Sequence, residues 1–315
     1  MDEKRQTHVR KKKRKLRKGR TFFVIVLLLA VFVGVYSYTQ YEAGQKLASS
    51  TGIEKKTEQF NGDPQSKSNV ENILLLGIDT RGESRSRTDS MILVSWNKKT
   101  NDVKMVSFMR DIYANIPGYQ SYKLNTAYYL GGVQLLKDTL KNTFGVEINH
   151  YALIDFKSFE SLVDIVAPNG VNVYVDHDMS KNIGVSLKKG EQRLNGKELL
   201  GFSRFRHDNL GDFGRVDRQQ KALEALKKEA LSPKNYKNYP KLLGAVKGYI
   251  ETDITNQQEL SFVLPLVKGN IKMDRLTIPV EHSYNYGYYP QAGSVLDINV
   301  QQNKQALDKF LGSNE

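Results

Sequence analysis

The chain has 315 residues, of which 39% are hydrophobic and 10% aromatic, so it can bury a core much larger than a minimal domain requires. It contains no cysteine, which excludes disulfides, cysteine-ligated metal sites and thiolate nucleophiles. The net charge is +13, but residues 1–20 hold eleven Lys and Arg against two acidic residues. The rest of the chain therefore carries only +4, which argues against a nucleic-acid-binding protein.

A long uncharged segment covers residues 21–41. A helix rises about 1.5 Å per residue, so this segment would span about 30 Å, the thickness of a bilayer's hydrocarbon core. Basic residues precede it, and Tyr36, Tyr38 and Tyr41 lie at its C-terminal end after the apolar run, a pattern typical of a cytoplasmic N-terminus. We predict a cytoplasmic basic tail over 1–20, then a single-pass anchor in the cell membrane. The alternative is a cleaved signal peptide, whose small-x-small cleavage pattern is poorly matched here.

The segment after the anchor, residues 42–69, is polar. Gln, Lys, Ser, Thr, Gly and Glu dominate it, apolar periodicity is absent, and residues 61–64 (NGDP) are typical of a turn. We predict an extracellular stalk over 42–69 and an extracellular folded domain over 70–315.

Strand and helix patterns alternate along the folded domain. Short apolar runs predict strands over 72–78, 90–96, 103–109, 148–156, 171–175 and 271–278. Helical spacing predicts helices over 122–144, 158–166, 196–203, 215–231, a lysine-rich segment ending at 250, 257–267 and 300–311. Interleaved strands and helices predict an α/β fold with one sheet covered on both faces.

Arginine is clustered in the domain, whereas lysine is scattered. Beyond the membrane segment there are ten arginines against 26 lysines. Eight of the ten fall in three short segments, namely Arg81, Arg85, Arg87, Arg110, Arg204, Arg206, Arg215 and Arg218. Because the guanidinium fork binds phosphate and carboxylate in a bidentate way, we predict a site for a phosphate-rich ligand. The alternative is that each arginine pairs with a nearby acidic residue.

The positions of these residues favour a single site. Asp79 and Arg110 follow two predicted strands, and ligands of open α/β sheets lie beyond the carboxyl ends of strands. In the predicted helix near residue 213, Arg215, Arg218 and Gln219 point to one side. Asp79 and Asp89 flank one loop and could bind Mg²⁺ together with phosphate oxygens. Alternatively, Asp79 caps a turn and Asp89 pairs with Arg87.

Six segments carry a resemblance to a known family. They are 72–79 (NILLLGID), 87–91 (RTDSM), 107–111 (SFMRD), 123–128 (KLNTAY), 196–206 (GKELLGFSRFR) and 211–220 (GDFGRVDRQQ). In order and spacing this set resembles the LytR-CpsA-Psr family over about residues 70–231. Departures from the family's pattern are Met109 and Leu200-Gly201, and neither touches a charged position.

The resemblance implies a three-layer α-β-α sandwich with a central mixed β-sheet, preceded by one transmembrane helix. It implies an apolar tunnel for a polyprenyl tail, with the pyrophosphate held by arginines and Mg²⁺, or by Mn²⁺ as the alternative ion. The metal ligands would be Asp79 and Asp89, which with Arg110 form the predicted catalytic set. The predicted phosphate-binding residues are Arg87, Arg110, Arg204, Arg206, Arg215, Arg218 and Gln219.

The activity that the resemblance implies is transfer of a phosphate-linked glycopolymer, such as the wall teichoic acid of a Gram-positive bacterium. The donor would be a polyprenyl pyrophosphate carrier and the acceptor a peptidoglycan sugar hydroxyl. Phosphoryl transfer depends mainly on positioning and charge neutralisation, which arginines and a divalent ion supply. The expected partners are the carrier-linked glycopolymer, peptidoglycan and the membrane, and no nucleic acid.

Three alternatives remain open at this stage. A membrane-anchored regulator or attenuator would need its folded part in the cytoplasm and a basic face. A non-catalytic polyprenyl-phosphate-binding protein could lack the metal carboxylates, and a pyrophosphatase would use water as the acceptor. The tyrosine-rich segment 284–289 either stacks on sugars or is an ordinary surface loop.

Overall fold

A mixed sheet of six strands forms the centre of the fold in the computed structural model. The structure describes residues 18–49, 58–65, 69–79, 86–255, 258 and 272–312, with 18–25 and Tyr236 described in the backbone only. In order across the sheet, the strands are Lys272–Ile278 (β10), Asp102–Phe108 (β3), Thr88–Asn97 (β2), Val70–Ile78 (β1), His150–Asp155 (β6) and Glu251–Thr252 (β9). This confirms the predicted strands of the central sheet.

Three small antiparallel pairs lie outside this sheet. They are Tyr113–Ala114 (β4) with Tyr122–Lys123 (β5), Val171–Val175 (β7) with Gly190–Leu194 (β8), and Tyr284–Tyr289 (β11) with Gly293–Ile298 (β12). The prediction of a surface loop over 284–289 is therefore wrong, because this segment pairs with β12 along its whole length.

The helices match the predicted ones closely. They are Lys18–Ser49 (α1), Leu124–Phe144 (α2), Phe156–Val166 (α3), Gly196–Arg204 (α4), Gly211–Ala230 (α5), the 3-10 helix Pro233–Asn238, Tyr239–Tyr249 (α6) and Val300–Leu311 (α7). The predicted helix over 257–267 lies outside the described residues except for residue 258. In α2 the backbone is not helical at Gly131 and Gly132, where φ is 65° at Gly132, so the helix kinks where only glycine adopts this conformation easily.

Strand direction brings the predicted site residues to one edge of the sheet. β1 is parallel to β6 and antiparallel to β2, β2 is antiparallel to β3, and β3 is parallel to β10. The carboxyl ends of β1, β3, β6 and β10 and the amino end of β2 therefore share an edge. Asp79, Arg110 and Asp89 lie at these ends, as predicted.

Helices cover both faces of the sheet, because strand side chains alternate between faces. On one face Leu74 and Leu76 belong to a buried cluster with Leu136 of α2 and Leu307 of α7. On the other face Ile92 and its neighbours meet Leu223 of α5. The fold is the three-layer α-β-α sandwich that was expected.

The C-terminal part of helix α1 packs against the domain. Within the described residues, Val26–Ser49 is the one helix long and apolar enough to cross a membrane. Its C-terminal part packs against α6 at two glycines: a Cβ at Gly44 would collide with the carbonyl oxygen of Lys241, and a Cβ at Gly244 with that of Tyr41. Since only glycine permits this approach, the helix continues to Ser49 and packs on the domain, within the segment 42–69 for which the sequence predicts a stalk.

Residues 58–65 of the predicted stalk also pack on the domain. The side chain of Asp63 is only 6% exposed. Lys141 donates to it at 2.6 Å, Lys137 at 3.3 Å and the Ile148 amide at 3.0 Å. Burial alone would raise the pKa of Asp63, but Lys141, the Ile148 amide and Lys137 outweigh burial and lower the pKa below its ordinary value. The sequence pattern missed this contact because its partners are 74 to 85 residues away.

We expect Asp63→Asn to lower the free energy of unfolding by about 2–4 kcal/mol, because two lysines lose their buried counter-charge. Because the pKa of Asp63 is lower in the folded than in the unfolded chain, its carboxylate stabilises the fold at any pH above the unfolded pKa of about 3.9. This stabilisation disappears as the pH falls through the pKa of the folded state. The difference from wild type should therefore be full at pH 7 and shrink below about pH 4. Chemical denaturation across pH measures it.

A matched control for this substitution is Asp178→Asn, because Asp178 pairs with Lys188 at 2.8 Å in a fully solvated position. Its stability should stay near that of wild type. Equal stability of Asp63→Asn and wild type at pH 7 would contradict the contact.

Candidate functional site

A cavity of about 430 Å³ lies between the sheet and helices α3, α4 and α5. Its apolar wall is formed by Leu75, Ile92, Ala152 and Ile154 of the sheet and by Phe159, Leu162, Leu200, Leu223 and Leu226 of the helices. The volume lies within the usual range of about 300–1,000 Å³ for ligand pockets. One end of this cavity is apolar and the other end, at the shared strand edge, is charged.

Arginines gather at the charged end. The polar lining there comprises Asp89, Arg110, Arg204, Arg206, Arg215, Gln219, Lys181, Asn182 and His207. Arg110 follows β3, Arg204 ends α4, and Arg215 and Gln219 lie one helical turn apart on α5. The positive charge at this end is well suited to a phosphate or pyrophosphate group.

Two arginines and two aspartates form a ring of alternating charge. Arg110 Nη1 donates to Asp89 Oδ1 at 2.6 Å, and Arg110 Nη2 lies 3.9 Å from Asp212 Oδ1. Arg215 Nη2 donates to Asp212 Oδ2 at 2.8 Å, and Arg215 Nη1 lies 3.7 Å from Asp89 Oδ1. The two arginines are thus neutralised by carboxylates that phosphate oxygens could displace.

The two arginines of the ring differ electrostatically. Burial lowers the pKa of Arg215, and although Asp212 and Asp89 oppose this effect while Arg110 and Arg206 add to it, the pKa stays below its ordinary value. For Arg110, burial is outweighed by Asp212, Asp111 and Asp89, so its pKa is raised. The Nε atoms of Arg110 and Arg215 are buried without a hydrogen-bond acceptor. An anionic ligand would supply the compensation that Arg215 lacks.

A β-bulge directs Asp89 into the cavity. Gly77 pairs with Ser90 while Ile78 pairs with Thr88, so Asp89 is the extra residue between two pairs of the β1–β2 ladder. Bulges commonly redirect one side chain beside an active site. On the neighbouring strand end, Asp79 Oδ2 lies 3.6 Å from Arg204 Nη2, and the Arg204 guanidinium lies 4.7 Å from the centre of the Phe156 ring.

This arrangement coincides with a match to a known family. The model of the LytR_cpsA_psr family matches residues 34–307, which is most of the chain. The chain belongs to the LytR-CpsA-Psr family.

Similar proteins carry two kinds of name. The regulatory protein MsrR of Staphylococcus aureus is 44% identical over 88% of this chain and 85% of its own length. The polyisoprenyl-teichoic acid–peptidoglycan teichoic acid transferase TagU of Bacillus anthracis is 34% identical over 76% of this chain and 81% of its own. The crystal structure of B. subtilis TagV superposes with a TM-score of 0.65, at 28% identity, over 78% of this chain and 98% of that one.

Several residues that the LytR-CpsA-Psr resemblance singled out meet at the cavity. Asp89, Arg110, Arg204, Arg206, Arg215 and Gln219 line it. Asp79 reaches the same edge through its contact with Arg204. The alternative expectation that arginines pair with nearby acids also holds in part, because Asp89 and Asp212 contact both Arg110 and Arg215.

Two predicted phosphate-binding residues have other contacts. Arg218 donates to Asp208 and to the Phe205 carbonyl oxygen, each at 2.6 Å, and is 2% exposed. It fixes the loop between α4 and α5 and does not line the cavity. Arg87 lies over the Tyr129 ring at 5.8 Å and is not part of the cavity wall, while Arg81 and Arg85 lie outside the described residues.

Sequence patterns had not singled out Lys181, Asn182 and His207 as members of the site. Lys181 and Asn182 come from the connection between β7 and β8, and Asn182 Nδ2 lies 2.9 Å from His207 Nε2. Two family segments do contain further acidic residues of the site. Asp111 follows Arg110 in segment 107–111, and Asp212 precedes Arg215 in segment 211–220.

The residues at this edge fit a divalent cation bound together with phosphate. Among the described residues, no three His, Asp or Glu side chains form a ready-made metal cluster. Mg²⁺ held against phosphate needs only one or two carboxylates, the remaining ligands being water and phosphate oxygens. Asp79 and Asp89 are two such carboxylates, on adjoining ends of paired strands.

Proposed function

We propose that this protein transfers a phosphate-linked glycopolymer from a polyprenyl pyrophosphate carrier to a sugar hydroxyl of peptidoglycan, on the outer side of the cell membrane. Wall teichoic acid is the glycopolymer that we propose, since the relative TagU is named a teichoic acid transferase. The observation that carries the proposal is the cavity itself, which joins an apolar interior to an arginine-lined end.

The two ends of the cavity match the two parts of such a carrier. A polyprenyl tail is apolar and gains about 0.8 kcal/mol for each buried CH₂ group. A pyrophosphate carries several negative charges, which Arg110, Arg204, Arg206 and Arg215 would neutralise. A lipid-linked pyrophosphate combines a long hydrocarbon with a dense anion, so the lining supports such a donor.

The apolar end also faces the membrane anchor. Leu162, Leu226 and Ile250 line the cavity and belong to a hydrophobic cluster that includes Ala48 of α1 and Ala245 of α6. A carrier tail that leaves the bilayer beside α1 would therefore meet the apolar end first. With the basic tail in the cytoplasm, as the sequence predicts, the arginine end would lie outside the cell.

The reaction requires one bond to form and one to break. The acceptor hydroxyl oxygen attacks the phosphorus that carries the glycopolymer, and the P–O bond to the polyprenyl phosphate breaks. The electron pair leaves on the bridging oxygen, so polyprenyl phosphate is released, and the hydroxyl proton passes to a carboxylate or to water. Asp79, Asp89 and Asp111 are the carboxylates on the strand ends at this edge, although a loose transition state needs little help from a base.

The protein's own contribution is positioning and charge neutralisation. Arg110 and Arg215 would release Asp89 and Asp212 and donate to phosphate oxygens. These donors would stabilise the negative charge that grows on the leaving oxygen in the transition state. A divalent ion, Mg²⁺ or Mn²⁺, would be held by Asp79 and Asp89 and would neutralise further phosphate charge. Burial of Arg215 strengthens its interaction with the anion because little water screens it.

The name of MsrR favours a second candidate, a membrane-anchored regulatory protein. A purely regulatory or lipid-binding protein would need the arginine-ended cavity but no catalysis. Such a protein would bind carrier lipid and release no polyprenyl phosphate. Incubating the full chain in detergent with a carrier-linked saccharide, peptidoglycan oligomers and Mg²⁺ distinguishes the candidates, because only a transferase yields saccharide bound to peptidoglycan.

We expect Ala152→Phe to weaken binding of the carrier at least tenfold, because its ring would occupy cavity space that the tail needs. Ala152→Ser changes the same position without adding a ring and serves as the control. Carrier retained after purification, measured by mass spectrometry, reports the binding. Full lipid retention by Ala152→Phe in a folded protein would show that the tail lies elsewhere.

A further inference from the structure

A row of aromatic side chains leads away from the arginine end of the cavity. It begins at Phe213, which follows Asp212 of the charged ring, and whose ring stacks on Tyr284 with centres 5.1 Å apart. The Tyr284 ring meets Tyr286 edge-on at 5.9 Å. Tyr288 follows two residues later, on the same face of strand β11, since strand side chains alternate.

The outer tyrosines of this row are solvent-exposed. Tyr286 is 80% exposed and Tyr288 is 73% exposed. A tyrosine can bury about 150–250 Å² of surface against a partner. Two such side chains next to each other on a rigid strand form an aromatic surface of the kind that marks a binding site.

The hairpin that carries the row is firmly attached to the site. The Leu296 amide of β12 donates to the Asp111 carbonyl oxygen at 2.8 Å, one residue after Arg110. On the other face of β11, Tyr289 stacks on Tyr113 with ring centres 4.1 Å apart. Its hydroxyl also lies 3.3 Å from Asp297. The positions of Tyr286 and Tyr288 are therefore fixed relative to Arg110.

The hairpin and the cavity pack against opposite faces of the sheet. Leu296 and Tyr284 pack with the hydrophobic cluster on the α2 face of the sheet, whereas the cavity lies on the α5 face. In phosphoryl transfer the attacking and leaving oxygens lie roughly in line through phosphorus. With the leaving polyprenyl phosphate in the cavity, the attacking hydroxyl must approach from the opposite side, which is the side of the hairpin.

We propose that Tyr284, Tyr286 and Tyr288 form a binding surface for the acceptor glycan, which presents its hydroxyl to the phosphorus beside Arg110. This inference rests on the proposed function. The flat faces of sugar rings carry C–H groups that stack on an aromatic ring, and their edges carry hydroxyls that bond to the tyrosine oxygens. The row offers aromatic faces and no arginine, so it suits the neutral sugars of the acceptor and not the phosphates of the donor.

The test compares the full-length double variant Tyr286→Ala/Tyr288→Ala with wild type and with Tyr174→Ala. Tyr174 is a control because it is 48% exposed on β7, away from the hairpin. The probe is a soluble peptidoglycan glycan oligomer without carrier, and binding is measured by calorimetry. The double variant should bind it about tenfold more weakly, whereas Tyr174→Ala should match wild type.

Kinetics separate this proposal from the proposed function. In the transfer assay the double variant should raise the KM for the glycan about tenfold, with kcat and carrier binding unchanged. Because the calorimetry uses no donor, it tests the surface even if wild type transfers nothing. Unchanged binding of the peptidoglycan oligomer by the double variant would overturn the proposal. The proposal would also fail if the double variant lost affinity for a soluble teichoic acid fragment and not for the peptidoglycan oligomer.

Discussion

Replacing Arg110 by alanine is expected to slow glycopolymer transfer by about 100- to 1,000-fold, the loss typical of removing one donor that stabilises transition-state charge. Arg110 lines the charged end of the cavity and contacts Asp89, Asp111 and Asp212. Its guanidinium can release these carboxylates and donate two parallel hydrogen bonds to a phosphate. Arg110→Lys keeps the charge without this planar fork, so it should recover only part of the rate.

The comparison needs a control for stability. Removing Arg110 leaves three carboxylates without their shared cation, so the thermal midpoint should fall as well, and rates must be measured well below it. Arg275→Ala is the matched control, since Arg275 pairs with Glu224 at 3.2 Å on a partly exposed surface and its loss should cost little. A rate near wild type for Arg110→Ala would mean that Arg110 only holds the aspartates in place.

The sequence predicted most of the central sheet because several of its strands are largely apolar runs. Residues 72–78 and 103–109 are examples, and they became β1 and β3 within two residues at each end. Strand direction then determined which ends share an edge, so Asp79 and Arg110 could be placed together before the structure was known. The predicted site residues that line the cavity mostly follow a strand or lie on a regular helix.

Features that depend on irregular backbone were not predictable in this way. The bulge that directs Asp89 into the cavity is one extra residue in the β1–β2 ladder, and no periodicity signals it. Short or polar strands such as β4 and β8 carry too few apolar residues to stand out. Spacing alone also does not show the contacts of Arg218, which lies three residues from Arg215 on α5 and donates to Asp208 and to the Phe205 carbonyl oxygen.

The clustering of arginines predicted an anion site, but it could not show which carboxylates balance the charge of each arginine. The structure pairs Arg110 with Asp89 and Arg215 with Asp212. Each candidate metal ligand thus contacts an arginine. Asp89 contacts Arg110, and Asp79 contacts Arg204. Replacing either carboxylate should therefore weaken metal binding, and it should also strengthen binding of the anion because an arginine is freed.

Asp79→Asn and Asp89→Asn are accordingly expected to lose transfer while keeping the carrier bound. Each substitution removes one of the two negative charges that would hold Mg²⁺ or Mn²⁺, so the metal concentration needed for half-maximal rate should rise at least tenfold. At the same time it frees an arginine, Arg204 or Arg110, for the pyrophosphate. The carrier's affinity should stay equal or increase, supported also by the tail at about 0.8 kcal/mol per buried CH₂.

The measurements are carrier retention by mass spectrometry and transfer rate against Mg²⁺ and Mn²⁺ concentration, with chelator as the zero point. Asp176→Asn is the control, because Asp176 pairs with Lys221 at 3.2 Å on the surface and should leave both quantities unchanged. Partial recovery of the Asp79→Asn and Asp89→Asn variants at high metal concentration would agree with a weakened site. Wild-type transfer that persists with chelator, or full activity of both variants at low metal, would mean that the arginines alone neutralise the phosphates, and Asp89 would then serve to hold Arg110 and Arg215 until the carrier binds.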